Sequence, residues 1–317
     1  MSEFDLIRRY FTRPTPGAVL GVGDDAALVR IPAGMELAVS TDMLVSGTHF
    51  FADADPFLLG HKTLAVNISD IAAMGAQPRW ALLSLSLPEE NELWLQQFSA
   101  GFFALAQLHG VELIGGDTTR GPLNLCVTIM GVVPQGAALR RAGAVVGDDV
   151  WVSGKLGDAA LALAHLQQRV QLAAHEFAAC AQALYQPAPR VALGLALRGI
   201  ANSAIDVSDG LLADLGHILQ CSNVGAKIQF DALPVSIALR SYLAQSVGLH
   251  CVLAGGDDYE LCFTVPAARR AEVEKISAQL ALPLTRIGVI VAGSGCTVHA
   301  PDGSVINTGE SGYDHFA

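Results

Sequence analysis

The chain has 317 residues, of which 51% are hydrophobic and 15% charged, and it carries a formal net charge of -11. This length bounds one large or two medium domains, able to bury roughly three quarters of the surface that the unfolded chain exposes. Lys and Arg gather nowhere, which excludes nucleic acid and anionic membranes as main partners, since both need a cationic face.

Apolar strand-like runs alternate with longer helix-like segments, so the expected fold is mixed α/β (α+β). In chain order, residues 37–41 read as a strand and 56–74 as a helix that stops at Gly75. Residues 81–87 read as a strand, 93–108 as a helix ending at Gly110, and 112–114 and 125–133 as strands. Between 134 and 147 the chain turns polar and glycine-rich, which sets a boundary between a domain at 1–137 and another at 138–317. Beyond it come a strand at 150–153, helices near 157–168 and 175–185, and a strand at 204–205. A helix follows, with an apolar stripe of Leu211, Leu212, Leu215, Ile218 and Leu219. Asn67-Ile-Ser-Asp70 precedes Gly-Gly-Asp117 at nearly the spacing by which Asp206-Val-Ser-Asp209 precedes Gly-Gly-Asp257, a faint echo of two halves on one plan.

No apolar run is long enough to span a bilayer, and no charged-then-apolar leader opens the sequence. The six cysteines form no C-x-x-C pair and read as reduced residues of a cytoplasmic protein.

The placement of aspartates carries the chemistry. Asp24 and Asp25 follow Gly21-Val-Gly23, Asp42 caps an apolar run, and Asp70 lies in the helix at 56–74. Asp117 follows Gly115-Gly116, Asp206 and Asp209 bracket a helix start, and Asp257 and Asp258 follow Gly255-Gly256. Most stand where apolar runs end, on glycine-containing turns, the place where α/β folds collect ligands. Gathered carboxylates repel by about 4 kcal/mol per pair at 4 Å unless a cation joins them. Hard oxygen donors without His or Cys favour magnesium, which is completed by waters and phosphates, so the implied ligand is a polyphosphate. Glycines beside the acids would let backbone N–H groups approach phosphate oxygens. Each site alone has a plainer reading: a Gly-Asp turn, or a helix N-cap at Ser208-Asp209.

Absences narrow the class. There is no G-x-x-x-x-G-K-[ST], no third glycine after Gly21-Val-Gly23, and no H-R-D or D-F-G string. The nine His show no metal-ligand spacing.

The strings Gly23-Asp-Asp-Ala-Ala27, Ser40-Thr-Asp-Met-Leu44 with His49, and Ala65-Val-Asn-Ile-Ser-Asp-Ile-Ala-Ala-Met-Gly75 resemble the thiamine-monophosphate kinase family. So do Gly115-Gly-Asp-Thr-Thr119, Arg141-Ala-Gly-Ala144, Asp206-Val-Ser-Asp-Gly210, Gly256-Asp-Asp-Tyr-Glu-Leu261 and Gly312-Tyr-Asp-His-Phe316. The resemblance spans the chain in order. It implies the two-domain fold of aminoimidazole ribotide synthetase relatives, with N-terminal strands forming a homodimer interface, and ATP-dependent phosphorylation of thiamine monophosphate. By matching position, Asp25, Ser40, Thr41, Asp42, Asp70, Asp117, Asp206 and Asp209 would hold several magnesium ions, with Asp42, Asp70, Asp117 and Asp206 central to catalysis. Gly116, Asp117, Arg141 and Ser208 would contact ATP, and His49, Asp257 and Tyr313 the thiamine end. The family usually carries Glu where this chain has Asp257, which shortens that side chain's reach. Plainer roles exist for Arg141 as a solvated residue beside Arg140, His49 as a strand-end residue and Tyr313 as a tail anchor.

Other readings stay open: selenophosphate synthetase, aminoimidazole ribotide synthetase or the hydrogenase-maturation relative, a two-metal phosphohydrolase, and a magnesium–nucleotide-binding module without turnover. The first Cys is Cys126 and the chain closes on His-Phe-Ala, whereas two of these relatives use a Cys near one terminus.

Overall fold

The computed structural model describes residues 3–306, in two compact units. One takes the chain up to Ile71 together with Ala76–Gly136; the other takes Ala72–Gly75 and the chain from Ala137.

The first unit opens with α1 (Glu3–Leu6), which runs into a π-type turn at Ile7–Phe11. Its other elements are β1 (Met35–Val45), α2 (Pro56–Ala73), β2 (Gln77–Leu87), α3 (Glu92–His109), β3 (Glu112–Arg120) and β4 (Asn124–Pro134). Helix α2 starts at Pro56, where a missing N–H goes unmissed, and Asp55 Oδ1 accepts the Leu58 N–H at 3.0 Å. Helix α3 is capped by Asn91, whose side chain accepts the Trp94 N–H at 3.0 Å, and it leaves through Gly110. The two helices meet backbone to backbone: a Cβ on Gly60 would lie 2.1 Å from the Phe98 carbonyl oxygen.

The sheet runs in the order β1-β4-β2-β3, antiparallel except for the parallel β2–β3 pair. Strand β4 alternates cleanly, burying Leu125, Val127 and Ile129 and leaving Cys126, Thr128 and Met130 half-buried. Leu64, Ile68, Ile71, Phe98 and Phe102 on the helices are buried too, each contributing about 2–3 kcal/mol of hydrophobic stabilisation. Edge strand β1 is unusual in leaving Leu37, Val39 and Met43 40%, 58% and 52% exposed.

Several strands reach further than expected, and two of the extensions bear on the site. Strand β1 passes through Ser40 and Asp42 because it pairs with β4 from Met35 to Val45. Strand β3 continues through Gly115-Gly116-Asp117, read above as a turn, because β2 supplies partners: Leu82 opposite Gly115, Leu83 opposite Gly116 and Ser84 opposite Asp117. Gly116 sits at φ 149°, and a Cβ there would fall 1.9 Å from the Leu83 carbonyl oxygen, so close strand approach demands glycine.

Among the described residues of the second unit, the strands run in the order β11-β10-β7-β9-β5-β8-β6. These are β5 (Asp148–Ser153), β6 (Ser203–Asp206), β7 (Gly225–Gln229), β8 (Leu261–Pro266), β9 (Leu284–Val291), β10 (Gly295–His299) and β11 (Val305–Ile306). The helices are α4 (Asp158–Leu166), α5 (Ala174–Tyr185), α6 (Val191–Leu197), α7 (Leu211–Ser222), α8 (Ile237–Arg240), α9 (Ser246–Leu253) and α10 (Arg270–Leu280). Strand β5 is buried throughout: Val150 and Val152 join one core cluster with Leu161 of α4 and Leu215 and Ile218 of α7. Trp151 joins another with Phe263, Leu193, Leu197, Val273 and Ile276. The strands from β7 onward lie past the last element expected from sequence; β7 and β10 open on Gly225 and Gly295, and Gly288 falls inside β9.

A buried acid ties the sheet to α10. Asp149 is hydrogen-bonded to Arg270 and, at 2.9 Å, to Arg286. Burial pushes its carboxyl up, but the hydrogen bonds and charges of the two guanidinium groups outweigh that and hold it below the ordinary value. Among the described residues, no helix is long and apolar enough to cross a membrane.

Candidate functional site

In the first unit the alternation of β1 sorts the expected ligands. The Ser40 hydroxyl donates to Asp70 Oδ2 on α2 at 2.5 Å, and Asn67, one turn earlier on the same helix, accepts the Asp42 N–H at 3.0 Å. Asp70 has apolar neighbours on its helix and so needs partners; Ser40 is one of them. Ser40 and Asp42 share one face of the strand. Thr41, expected beside them, turns its hydroxyl to the other face, where it donates to the Val127 carbonyl (3.0 Å) and meets Thr128 Oγ1 (3.1 Å). Only its main chain could reach an ion held by Ser40 and Asp42.

Asp25 lies exposed in the segment closed by hydrogen bonds between Leu20 and Leu28, and its N–H donates to Asp24 Oδ1 at 2.9 Å. Gly116 and Asp117 are exposed on β3. His49 closes the turn after β1, accepting the Val45 N–H on Nδ1 at 3.0 Å, so the neutral ring carries its proton on Nε2 as a donor.

In the second unit, the turn after β6 and the loop before β8 are laced together. The Asp257 N–H donates to the Ser208 carbonyl (2.9 Å), Tyr259 N–H to the Val207 carbonyl (2.8 Å), and Val207 N–H to the Glu260 carbonyl (2.8 Å). A Cβ on Gly256 would stand 2.3 Å from the Ser208 carbonyl oxygen, which explains a glycine there. Asp257 and Tyr259 occupy the left-handed region at φ 71° and 49°, costly for these residues and held by the surrounding bonds. The Tyr259 hydroxyl donates to Asp257 Oδ1 at 3.1 Å. Asp206, the last residue of β6, is buried, while Ser208 and Asp209 are half-buried.

Neither Ser208 nor Asp209 is the helix cap; Gly210 is. The backbone N–H groups of Ser208, Asp209 and Gly210 all donate to Asp214 Oδ2, at 3.0, 3.0 and 3.2 Å. This corrects the expectation that N–H groups beside these acids face phosphate, since a carboxylate one turn into α7 already takes them. Burial pushes the Asp214 carboxyl up to about 7, against the opposing pull of those three hydrogen bonds. Asp258, adjacent to an expected substrate contact, turns away and accepts the Gly157 N–H at the start of α4 with both oxygens (2.8 and 2.9 Å). Burial holds its carboxyl well above the ordinary value. Glu260 accepts the Ser153 hydroxyl at 2.5 Å and is gripped by both sides of the Arg190 guanidinium.

Arg141 is exposed on a loop pinned by Ser222, the last residue of α7, whose hydroxyl oxygen accepts the Gly143 and Ala144 N–H groups at 3.1 Å. Tyr313 lies outside the described residues. Sequence reasoning missed Asp214, Glu260 and Arg190. A polar residue inside the apolar stripe of α7 was the available sign of Asp214.

Among the described residues, no three His, Cys, Asp or Glu side chains form a ready cluster for a metal ion. Magnesium does not require one, because one or two carboxylates, waters and substrate phosphates complete its shell. The donor set here is all oxygen, and Ser40 with Asp70 already juxtaposes two such donors. The residues fit magnesium.

Residues 23–133 match the family described as AIR synthase related protein, N-terminal domain, and residues 145–301 its C-terminal domain. Thiamine-monophosphate kinase of Escherichia coli strain K12 is 47% identical over 319 residues, covering 99% of this chain and 98% of the relative. Among solved structures, thiamine-monophosphate kinase of Stenotrophomonas maltophilia K279a is 51% identical with a TM-score of 0.87, covering 96% of this chain and 98% of that one. AaThiL complexed with AMPPCP and TMP is 31% identical with a TM-score of 0.78, covering 99% and 96%. With both domains matched in order and near-complete overlap with these relatives, the chain belongs to the AIR synthase related family and, within it, to the thiamine-monophosphate kinases.

Proposed function

We propose that this chain transfers the γ-phosphoryl group of ATP to the phosphate of thiamine monophosphate, giving thiamine diphosphate and ADP. The observation that carries this reading is the end-to-end likeness to thiamine-monophosphate kinases, one of them solved with AMPPCP and TMP.

The acceptor is already an ionised phosphate, so no general base is needed, and positioning with charge neutralisation suffices. On this reading Asp25, Ser40, Asp42, Asp70 and Asp117 of the first unit, and Asp206 and Asp209 of the second, hold magnesium. Thr41 adds at most a main-chain oxygen. When bound, magnesium neutralises the phosphates of both substrates. Gly116, Asp117, Ser208 and the forked donors of Arg141 serve ATP. His49 through Nε2–H, Asp257 and Tyr313 serve the thiamine end. Supporting the use of oxygen ligands over thiols, burial pushes Cys180 and Cys251 up to about 12, too high for a thiolate nucleophile. All six cysteines are free, which suits a reducing cytoplasm.

We further propose a homodimer. Strands β1 and β3 are the two edges of their sheet, about 14 Å apart at three strand spacings. Asp42 rides on one and Asp117 on the other, so one sheet does not bring both to one ion. A second copy laying its β1 beside this β3 would, and would pair the open edges of the two sheets.

Incubation with ATP, magnesium and thiamine monophosphate tests the reaction: thiamine diphosphate should appear one-for-one with ADP. Phosphate release without acceptor would instead indicate a hydrolase. For the dimer, Asp42→Asn and Asp117→Asn chains, each inactive alone, should recover about a quarter of normal activity when unfolded and refolded together, since random pairing restores one site in each mixed dimer. No recovery would rule out shared sites.

A further inference from the structure

We infer that Asp214 is a positioning residue for both substrates, setting the turn that carries Ser208 and Asp209 and, through it, the loop that carries Asp257. The inference rests on the kinase reading and on the ATP, magnesium and thiamine roles given above to Ser208, Asp209 and Asp257.

The geometry is specific. Asp214 lies in the first turn of α7 and is buried. One oxygen, Oδ2, gathers three consecutive backbone N–H groups, those of Ser208, Asp209 and Gly210. Three convergent N–H groups at a helix start form an anion-binding concavity, and here the protein fills it with its own carboxylate. The turn therefore offers a ligand the Ser208 hydroxyl and the Asp209 carboxylate rather than its backbone. With its N–H groups fixed, the peptide plane that bears the Ser208 carbonyl is fixed too, and that carbonyl accepts the Asp257 N–H at 2.9 Å. Asp257 sits in a left-handed conformation, and the Tyr259 hydroxyl completes its orientation. One buried carboxylate thus governs the aim of an ATP-side turn and a thiamine-side loop together.

The test uses full-length Asp214→Asn and Asp214→Ala. The readouts are kcat and KM for ATP and for thiamine monophosphate, AMPPCP binding with magnesium by calorimetry, and melting temperature. The amide keeps an acceptor oxygen in place, so Asp214→Asn should stay within about threefold of the parent in both KM values. Asp214→Ala, assayed well below its melting temperature, should raise both KM values and lower kcat by about tenfold each, with AMPPCP binding weakened in parallel; a displacement of 1 Å in a positioned group is worth up to about a hundredfold. Unchanged KM values in Asp214→Ala, whatever its melting temperature, would overturn the inference. So would a rise confined to ATP, or tighter AMPPCP binding as the emptied concavity takes a phosphate. Should Asp214→Ala fail to fold, Asp214→Ser, a shorter acceptor, takes its place with the same expectations and the same overturning results. If the parent binds AMPPCP but leaves thiamine monophosphate unchanged, the kinase reading fails, while AMPPCP binding across the variants still judges the ATP-side role of Asp214.

Discussion

In the first unit, Asp42 and Asp117 ride on edge strands and Asp70 on a helix, held by regular hydrogen-bond ladders that other residues build. In the second, Asp209 and Asp257 sit on a turn and a loop, whose shape comes from carboxylates buried behind them: Asp214, Asp258 and Glu260. Similar strings serve both. Asn67-Ile-Ser-Asp70 is interior helix, whereas Asp206-Val-Ser-Asp209 leaves a strand for a turn; Gly-Gly-Asp117 is strand, whereas Gly-Gly-Asp257 is loop. The echo between the halves is therefore not a structural repeat. An acid presented by a ladder can be removed without disturbing its support, while a loop shaped by buried acids loses its form with them.

That contrast can be broken most directly at the first unit's edge strands. Asp42→Asn and Asp117→Asn should each lower kcat by about a hundredfold to a thousandfold, with the melting temperature within about 2 °C of the parent. A large loss of stability in Asp117→Asn would show that the ladder depends on the acid it displays.

The complementary change in the second unit is Glu260→Ala, which strips Arg190 and Ser153 of their shared partner. It should cost about 3 kcal/mol by urea unfolding, because a buried pair is broken from one side. A shift below about 1 kcal/mol would mean that the loop before β8 does not rely on its buried acid.

Asp149→Asn sharpens the comparison through pH. The carboxyl of Asp149 is held below its ordinary value, so it adds stability above about pH 4, which is lost as pH falls through the folded-state pKa. The variant should be less stable than the parent by about 2 kcal/mol at pH 7, with the gap closing below pH 4. A gap constant from pH 7 to pH 3 would assign the effect to packing rather than charge.

The smallest effect belongs to Ser40→Ala, which removes the hydrogen bond to Asp70. It should cost about 1 kcal/mol of stability and raise the magnesium concentration needed for half-maximal rate, read by titrating magnesium at saturating ATP. An unchanged magnesium requirement would remove Ser40 from the metal-binding set.

Much of the first unit was legible because its helices announce themselves locally. Gly75 and Gly110 mark where they end, and α3 starts at Glu92 behind its Asn91 cap, one residue ahead of the expected 93. The need of Asp70 for a partner was legible too, from Ile68, Ile71, Ala72 and Ala73 around it. The identity of that partner was not, since Ser40 is brought there by a strand thirty residues earlier.

By itself the sequence determined the limits of the two long helices of the first unit to within about two residues, the apolar parts of its strands, the family, and the oxygen-rich chemistry, all properties of neighbours along the chain or of strings matched whole. Only the tertiary structure decided that Gly115-Gly116-Asp117 is strand rather than turn, that Thr41 faces away from Ser40, and that Asp214 rather than a ligand takes the N–H groups of the Ser208 turn. Each of those outcomes depends on a hydrogen-bond partner supplied by a paired strand or by a helix one turn on, and a buried donor takes whichever acceptor the folded chain puts within reach.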